Sequence, residues 1–306
     1  MTSRLTVGVT TRNRPDALAA CLRSLETIAP LSPQILVYDD GSEPPVEGRA
    51  RAAQSSVRVL RGTAGTAAGR NWIVREAAHE FVLLLDDDTL VLDAAPVIEA
   101  LATIARDPAI GAIAFAQANP DGSPWPVAMQ PSPAAEPSLV NAFIGFAHIV
   151  RRSLFLELGG YREIFRYQGE EKELCLRLIA AGKLVVYLPQ SRIAHVTDPG
   201  ARDLRRYLRL VSRNDCLNSI YNDPLLRMLW MVPARMALYW RMRRGWRIHD
   251  PGGGWWLVRE VARSVPVVWK DRRPVSRATL TAWRALRGGT RRYVAPEPQA
   301  QAPGPP

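Results

Sequence analysis

The sequence predicts an α/β chain: a mixed, mainly parallel sheet with helices on both faces, followed by a C-terminal helical extension. Three observations point there. Short apolar runs alternate with stretches of helical periodicity through the first 200 residues. Polar clusters follow those runs at residues 10–13, 39–42 and 86–88, and ligands on a parallel sheet collect at the carboxyl ends of its strands. Beyond residue 200 the strand-like runs give way to Arg- and Trp-rich patterns.

Taken in order, "LTVGV" (5–9) reads as the first strand. After the loop "TTRNRP", Leu18, Cys21, Leu22, Leu25 and Ile28 recur at helical spacing. "ILVY" (35–38) is a second strand ending in "DDGS", and "VRVL" (57–60) a third. "TAAGRNWIVREAAHE" then reads as a helix and "FVLLL" (81–85) as a fourth strand. Residues 118–138 are too rich in proline and glycine for regular structure and predict a long loop near the site. "RRSLFLELGGYREIF" predicts a helix stopped by a glycine pair, "EEKELCLRLIAAG" another with the same kind of stop, and "KLVVYLP" a further strand. The boundaries are therefore an α/β domain over 1–200, a basic helical extension over 201–292 that holds seven of the nine tryptophans, and a disordered Pro-rich tail over 293–306.

The formal charge of +11 is unevenly placed: residues 1–200 carry 19 Lys/Arg against 22 Asp/Glu, and residues 201–306 carry 21 against 7. With an acid-leaning first part, no recognition-helix motif and no zinc pattern, nucleic acid is not the expected partner. Amphipathic helices mixing arginine with Trp, Leu and Met instead predict a peripheral contact with anionic membrane. A packed helical extension with merely solvated arginines is the rival. Three widely spaced cysteines signal neither a disulfide framework nor a metal site. No leader pattern or apolar run of about 18 residues is seen. The expectation is a cytoplasmic protein, peripheral on the inner face of the plasma membrane.

The most informative stretch is "FVLLLDDDTLV", an apolar strand ending in Asp86, Asp87 and Asp88. Three carboxylates at one strand end repel one another, and a divalent cation with hard oxygen ligands, Mn²⁺ or Mg²⁺, supplies the missing charge while sharing itself with substrate phosphates. Capping of the next segment or pairing with arginine is the plainer alternative.

The order of motifs decides between these. "VGVTTRNRPDALAACLRSL", "LVYDDGSEPP", "GTAAGRNWIV", "LLLDDDTLV", "ELGGYREIFRYQGEEKELCLRLIAAG" and "YLPQSRIAHV" follow one another between residues 5 and 196. Together they resemble the inverting, nucleotide-sugar-dependent glycosyltransferases of family 2, which have the GT-A fold. The resemblance implies that Thr10, Arg12, Asp39 and Asp40 lie at the nucleoside, with Asp39 accepting from the base edge. It implies that Arg70 and Asn71 lie near the nucleotide, that Asp86 touches the ribose with Asp87 also at the nucleotide sugar, and that Asp88, with His195 and Asp86, forms the metal site. An arginine at a helix start suits a diphosphate on physical grounds as well. If strand geometry persists, Asp87 alternates away from its neighbours.

Inverting transfer needs a base to take the acceptor's proton. The family pattern is Glu-Asp where this chain has Glu170 and Glu171, so Glu171 is assigned as base with Glu170 the alternative. Acidic residues also favour any helix start. The implied substrates are a UDP or dTDP sugar as donor and a glycan or lipid-linked acceptor. Two other classes compete. A phosphatase of the haloacid-dehalogenase type also uses Asp-x-Asp after a strand but wants Thr or Val where this chain has Leu90. A scaffold without catalysis would bind membrane or polyanion and no nucleotide.

Overall fold

A computed structural model describes residues 4–196 and 203–296. Its strands and helices, in chain order, begin with β1 (Leu5–Thr11), α1 (Pro15–Ser24), β2 (Gln34–Asp39), α2 (Glu47–Ala53), β3 (Arg58–Arg61), α3 (Thr66–Glu76), β4 (Phe81–Asp86) and β5 (Thr89–Leu90). There follow α4 (Ala95–Arg106), β6 (Ile110–Ala118), β7 (Ser138–Leu139), β8 (Ala147–Arg151), α5 (Arg152–Glu157), α6 (Glu170–Ala180) and β9 (Leu184–His195). The chain closes with α7 (Leu204–Asn222), α8 (Leu225–Gly245), α9 (Gly253–Lys270), α10 (Arg277–Ala285) and β10 (Arg291–Arg292).

The strands form one sheet in the order β10-β7-β9-β6-β8-β4-β1-β2-β3, with β5 pairing β9. β3, β2, β1 and β4 are mutually parallel, as are β6 and β9, whereas β8 runs antiparallel between β4 and β6. This parallel half is what the alternating pattern predicts: β1, β2 and β4 are short apolar runs buried on both faces, β3 is the half-exposed edge, and each return passes through a helix. One face buries Leu18, Leu22, Ile28, Val97 and Ile104 with the outer side of the sheet. The other buries Ile73, Val74, Phe155, Leu174 and Leu178.

Several expectations need correction. β1 runs two residues past "LTVGV", so Thr10 and Thr11 are strand residues rather than loop. The helix predicted through residue 80 ends at Glu76 because the polar "HE" pair forms a bend before β4. The "RRSLFLELGG" helix is only Arg152–Glu157, and its glycines adopt φ of +83° and +65°. β6 and β8 had no counterpart in the sequence reading.

The extension over 203–285 is helical, with its own core of Leu208, Leu217, Ile220, Tyr239, Leu257 and Val261. It is not detached. Phe165 of the first part belongs to that core, and Asn214 Nδ2 on α7 donates to the carbonyls of Phe165, Tyr167 and Gln168 at 3.0, 2.9 and 2.6 Å. β10 then pairs with β7 at the sheet edge. The tail boundary also moves: Tyr293 is buried in the main core and donates its hydroxyl to Asp107 Oδ2 at 3.0 Å, while the rest of the expected tail from 297 onward lies outside the described residues.

Candidate active site

The parallel register sets the site. Thr10 of β1 stands opposite Asp86 of β4, and Thr11 opposite Asp39 of β2, so three strand ends open onto one edge. β4 stops at Asp86, and the turn at 87–88 cancels the expected alternation. Asp87 and Asp88 both face Arg14, whose Nη1 lies 3.2 Å from Asp87 Oδ1 and 2.8 Å from Asp88 Oδ2. Thr11 Oγ1 also donates to Asp87 Oδ2 at 2.7 Å. Burial raises the Asp87 carboxyl to about 6, with the charge of Asp88 adding to it and Thr11 and Arg14 opposing. Asp87 is therefore a buried structural acid, not a side chain pointing away.

Arg70 is the hub. It lies inside α3 rather than at its exposed start, is 2% exposed, and donates from Nη2 to Asp86 Oδ1 at 2.7 Å and to the Gly145 carbonyl at 2.8 Å. Its Nη1 lies 3.3 Å from Glu170 Oε1 and 3.6 Å from Glu171 Oε1. The charge expected to meet a diphosphate is instead shared among three carboxylates of the protein. Gly145 makes this approach possible, because a Cβ there would overlap Glu171 Oε1 and crowd the guanidinium.

The acid pair opens α6. The chain reaches it through Arg166 and Gln168, both non-glycine residues with φ of +59° and +74°, followed by Gly169 at +87°. Two left-handed side-chain-bearing residues in one short loop persist only where surrounding contacts fix them, here the Asn214 amide. Glu170 is fully buried, and its Oε2 has no hydrogen-bond partner. Burial, then the neighbouring Glu171 charge, push its pKa up against the pull of Arg70. Glu171 keeps 18% of its side chain exposed and is raised by burial while Arg70 draws it back. Of the two, only Glu171 combines access with a cationic partner.

His195 ends β9 between two aromatic rings, stacked on Trp125 at 5.2 Å and on Phe146 at 4.8 Å. Gln117 Nε2 donates to the Met129 carbonyl, so its Oε1 accepts from His195 Nδ1, 2.7 Å away. In the neutral ring that leaves the Nε2 lone pair facing Asp88 Oδ1 at 3.5 Å, and this buried oxygen has no hydrogen-bond partner. Burial would raise Asp88, but His195, whenever its Nε2 carries a proton, and Arg14 outweigh it and hold the carboxyl below its ordinary value; without that proton the two lone pairs face each other. Two facing lone pairs on Asp and His, with the histidine fixed from behind by an amide, fit a divalent cation between them. Among the described residues no group of three or more His, Cys, Asp or Glu is placed to hold a metal, so this pair needs further ligands from substrate and water. Asp86, expected as a third ligand, spends Oδ1 on Arg70.

The other expected site residues have these partners within the protein. Asp39 is buried, with Oδ1 accepting from the Ser42 amide at 2.8 Å and Oδ2 from the Val46 amide at 3.4 Å, bonds that fix its own turn and leave each oxygen a further lone pair. Asp40 Oδ1 accepts from the Gly65 amide at 2.8 Å. Asn71 is consumed by the segment before α6, donating to the Tyr161 carbonyl and to Glu163 at 2.9 Å and accepting from the Tyr161 amide at 2.7 Å. Arg12 is exposed and makes no ion pair among the described residues; Arg14, two positions on, takes the aspartates instead. Arg14, Gln117, Trp125 and Gly145 were not anticipated. Arg14 left a trace as the second arginine of "TRNRP" at a strand end, and Trp125 lies in the 118–138 loop expected near the site.

Comparison with known proteins agrees with this geometry. A family model described as glycosyl transferase family 2 matches residues 6–159. A pre-mycofactocin glycosyltransferase of Mycobacterium tuberculosis is 28% identical over 206 residues, covering 62% of this chain and 42% of that protein. An O-antigen biosynthesis protein of Myxococcus xanthus is 27% identical over 63% of this chain and 17% of its own length. The chain thus spans less than half the length of these curated relatives. In three dimensions it is similar to a mannosyltransferase from Pyrobaculum calidifontis in complex with GDP-Man and Mn²⁺, with a TM-score of 0.57 at 16% identity over 92% of this chain and 86% of that one. Residues 1–349 of Staphylococcus aureus TarS give a TM-score of 0.58 at 15% identity over 87% of this chain and 83% of that one. These structural likenesses establish the GT-A fold. With the family model covering half of the chain and its motifs meeting at one sheet edge, the chain belongs to glycosyl transferase family 2.

Proposed function

We propose that the chain transfers a sugar with inversion from a nucleoside-diphosphate sugar, a UDP or dTDP sugar, to a glycan or lipid-linked acceptor. The observation that supports this reading is Arg70, which spans Asp86 at the sheet edge and Glu171 at the start of α6, so that a partly exposed carboxylate lies one guanidinium away from the aspartate cluster. Solved proteins of the same fold are complexes with GDP-Man and Mn²⁺ or with UDP-GlcNAc, which supports a nucleotide-sugar donor.

Asp88 Oδ1 and His195 Nε2 would hold Mn²⁺ or Mg²⁺, which when bound neutralises charge on the departing diphosphate. Glu171 takes the proton of the acceptor hydroxyl as it attacks the anomeric carbon opposite the leaving group. Arg70 orients Glu171 and Asp86 and keeps Glu171 available as carboxylate. Glu170, more deeply buried and raised further by its neighbour's charge, has less access to an acceptor.

The test is a panel of nucleotide sugars read by thermal shift with and without Mn²⁺, on wild type and Asp88→Ala. A donor-dependent rise that needs Mn²⁺ in the wild type and vanishes in the variant is expected. An unchanged metal-dependent response in Asp88→Ala removes this residue from the metal site.

A further inference from the structure

α8 is apolar on the wrong side as well as the right one. Its inner face supplies Met228, Val232, Met236 and Tyr239 to the helical core. Its outer face presents Leu226, Leu229, Trp230, Pro233 and Trp240 at helical spacing, all exposed, Trp230 by 81%. A helix apolar all round is normally covered on both sides. α9 repeats the pattern with exposed Trp255, Val258, Val265 and Trp269, flanked by Arg259, Arg263 and Lys270. The two stripes meet where the Trp240 ring packs so tightly on Gly254 that a Cβ there would collide with it.

The charge beside these stripes is mostly positive: Glu260 on α9 lies against Arg259 and Arg263 at 4.0 and 3.5 Å, and Asp271 is an exposed acid at its end. Asp215 is bound by Lys172 and Arg235, Asp223 by Arg227, and Asp250 by Arg209. Arg241 and Arg244, exposed on α8 near Trp240, make no ion pair among the described residues. Between α8 and α10 a groove of about 410 Å³ sets the apolar side chains Leu226, Trp230 and Leu280 beside Arg227, Arg277 and Arg284. Apolar floor with arginine walls is the chemistry of an anionic phospholipid, whose headgroup and acyl chains need both. A second copy of the chain would set arginine against arginine. No described helix is long and apolar enough to cross a membrane.

We infer that the outer faces of α8 and α9 form a peripheral docking surface for a bilayer containing anionic phospholipid. Tryptophans enter the headgroup level while arginines meet lipid phosphate. The surface is wired to the active site: Asp215 accepts from Arg235 of α8 at 3.1 Å and from Lys172 of α6 at 3.0 Å, and Lys172 follows Glu171 directly.

Flotation of the full chain with vesicles tests this. Phosphatidylcholine vesicles containing phosphatidylglycerol should carry the protein upward, phosphatidylcholine alone should not, and binding should fall as salt rises. Trp230→Glu should abolish flotation, and Arg241→Ala and Arg244→Ala should each lower partitioning by about fivefold. These side chains are exposed, so unchanged thermal melts separate lost docking from misfolding. Asp88→Ala should float like wild type, which keeps this inference distinct from the catalytic reading. Failure of the wild type to float, or full binding by Trp230→Glu, overturns it. So does sedimentation of a dimer that Trp230→Glu dissolves without any vesicle binding, which would assign the face to a second copy.

Discussion

Arg70→Met removes the guanidinium and keeps an apolar stem of similar length. In the wild type that group lies 2.7 Å from Asp86, 3.3 Å from Glu170 and 3.6 Å from Glu171, and donates to the Gly145 carbonyl at 2.8 Å. Taking one partner from a buried ionic cluster leaves the others uncompensated and typically destabilises by about 3–5 kcal/mol. The lost bond to a buried carbonyl adds about 1–3 kcal/mol. Partial relief by proton uptake brings the expected deficit to about 4 kcal/mol near pH 8. The sign of its pH dependence follows from linkage. Burial already raises Asp86, Glu170 and Glu171, and Arg70 pulls each of them down, so the variant raises all three further. Groups with raised folded pKa values contribute stability below their unfolded values and lose it as pH rises through the folded ones. Between about pH 8 and pH 5 the variant therefore recovers relative to wild type, and the deficit shrinks to about 1–2 kcal/mol. Urea denaturation followed by circular dichroism at several pH values measures both numbers. A deficit that does not change with pH, or one below about 1 kcal/mol at pH 8, would refute the charge-hub account.

Gly145→Ala should displace Glu171 and the guanidinium it faces, lowering kcat by about 100-fold with a stability loss of only about 1–3 kcal/mol; initial rates beside thermal melts separate the two effects. Asn214→Ala strands three carbonyls before α6 and should destabilise by about 1–3 kcal/mol while speeding amide exchange over residues 165–170, read by exchange mass spectrometry. Because Glu171 is raised by burial and acts only when ionised, kcat/KM should fall on the acid side with a midpoint above the ordinary glutamate value of about 4.3, and a limb at or below that value would disqualify it as base.

The parallel half was legible because each of its strands is a short apolar run and each polar cluster follows one, as "FVLLL" before Asp86 shows. β6 and β8 were not. "IGAIAFAQA" fills tight space with alanines that pack against the α6 side, and β8 hides His148 inside, paired with the Tyr161 hydroxyl at 2.7 Å. Small and polar core residues break the periodicity on which strand recognition rests. The site was readable as a set of chemical types but not as pairings. Arg70 and Asn71 are named by sequence; that they serve Glu171 and the Tyr161 segment depends on contacts 75 or more residues apart. Nothing local in "SRNDC" tells that Asn214 ties down a loop nearly fifty positions earlier.

β10 gives the molecule an unusual order of assembly. The edge of β7 can be covered only after residues 291–292 have been synthesised, and Tyr293 reaches Asp107 across a separation of 186 positions. Such distant pairing is slow to find, since the chain must close a long loop before any contact rewards it. During synthesis the sheet is therefore left with an exposed hydrogen-bonding border while the arginine-rich helices emerge first. Residues 291–293 act as the latch that ends this vulnerable interval, and chains stalled before them would be the ones prone to sticking to one another.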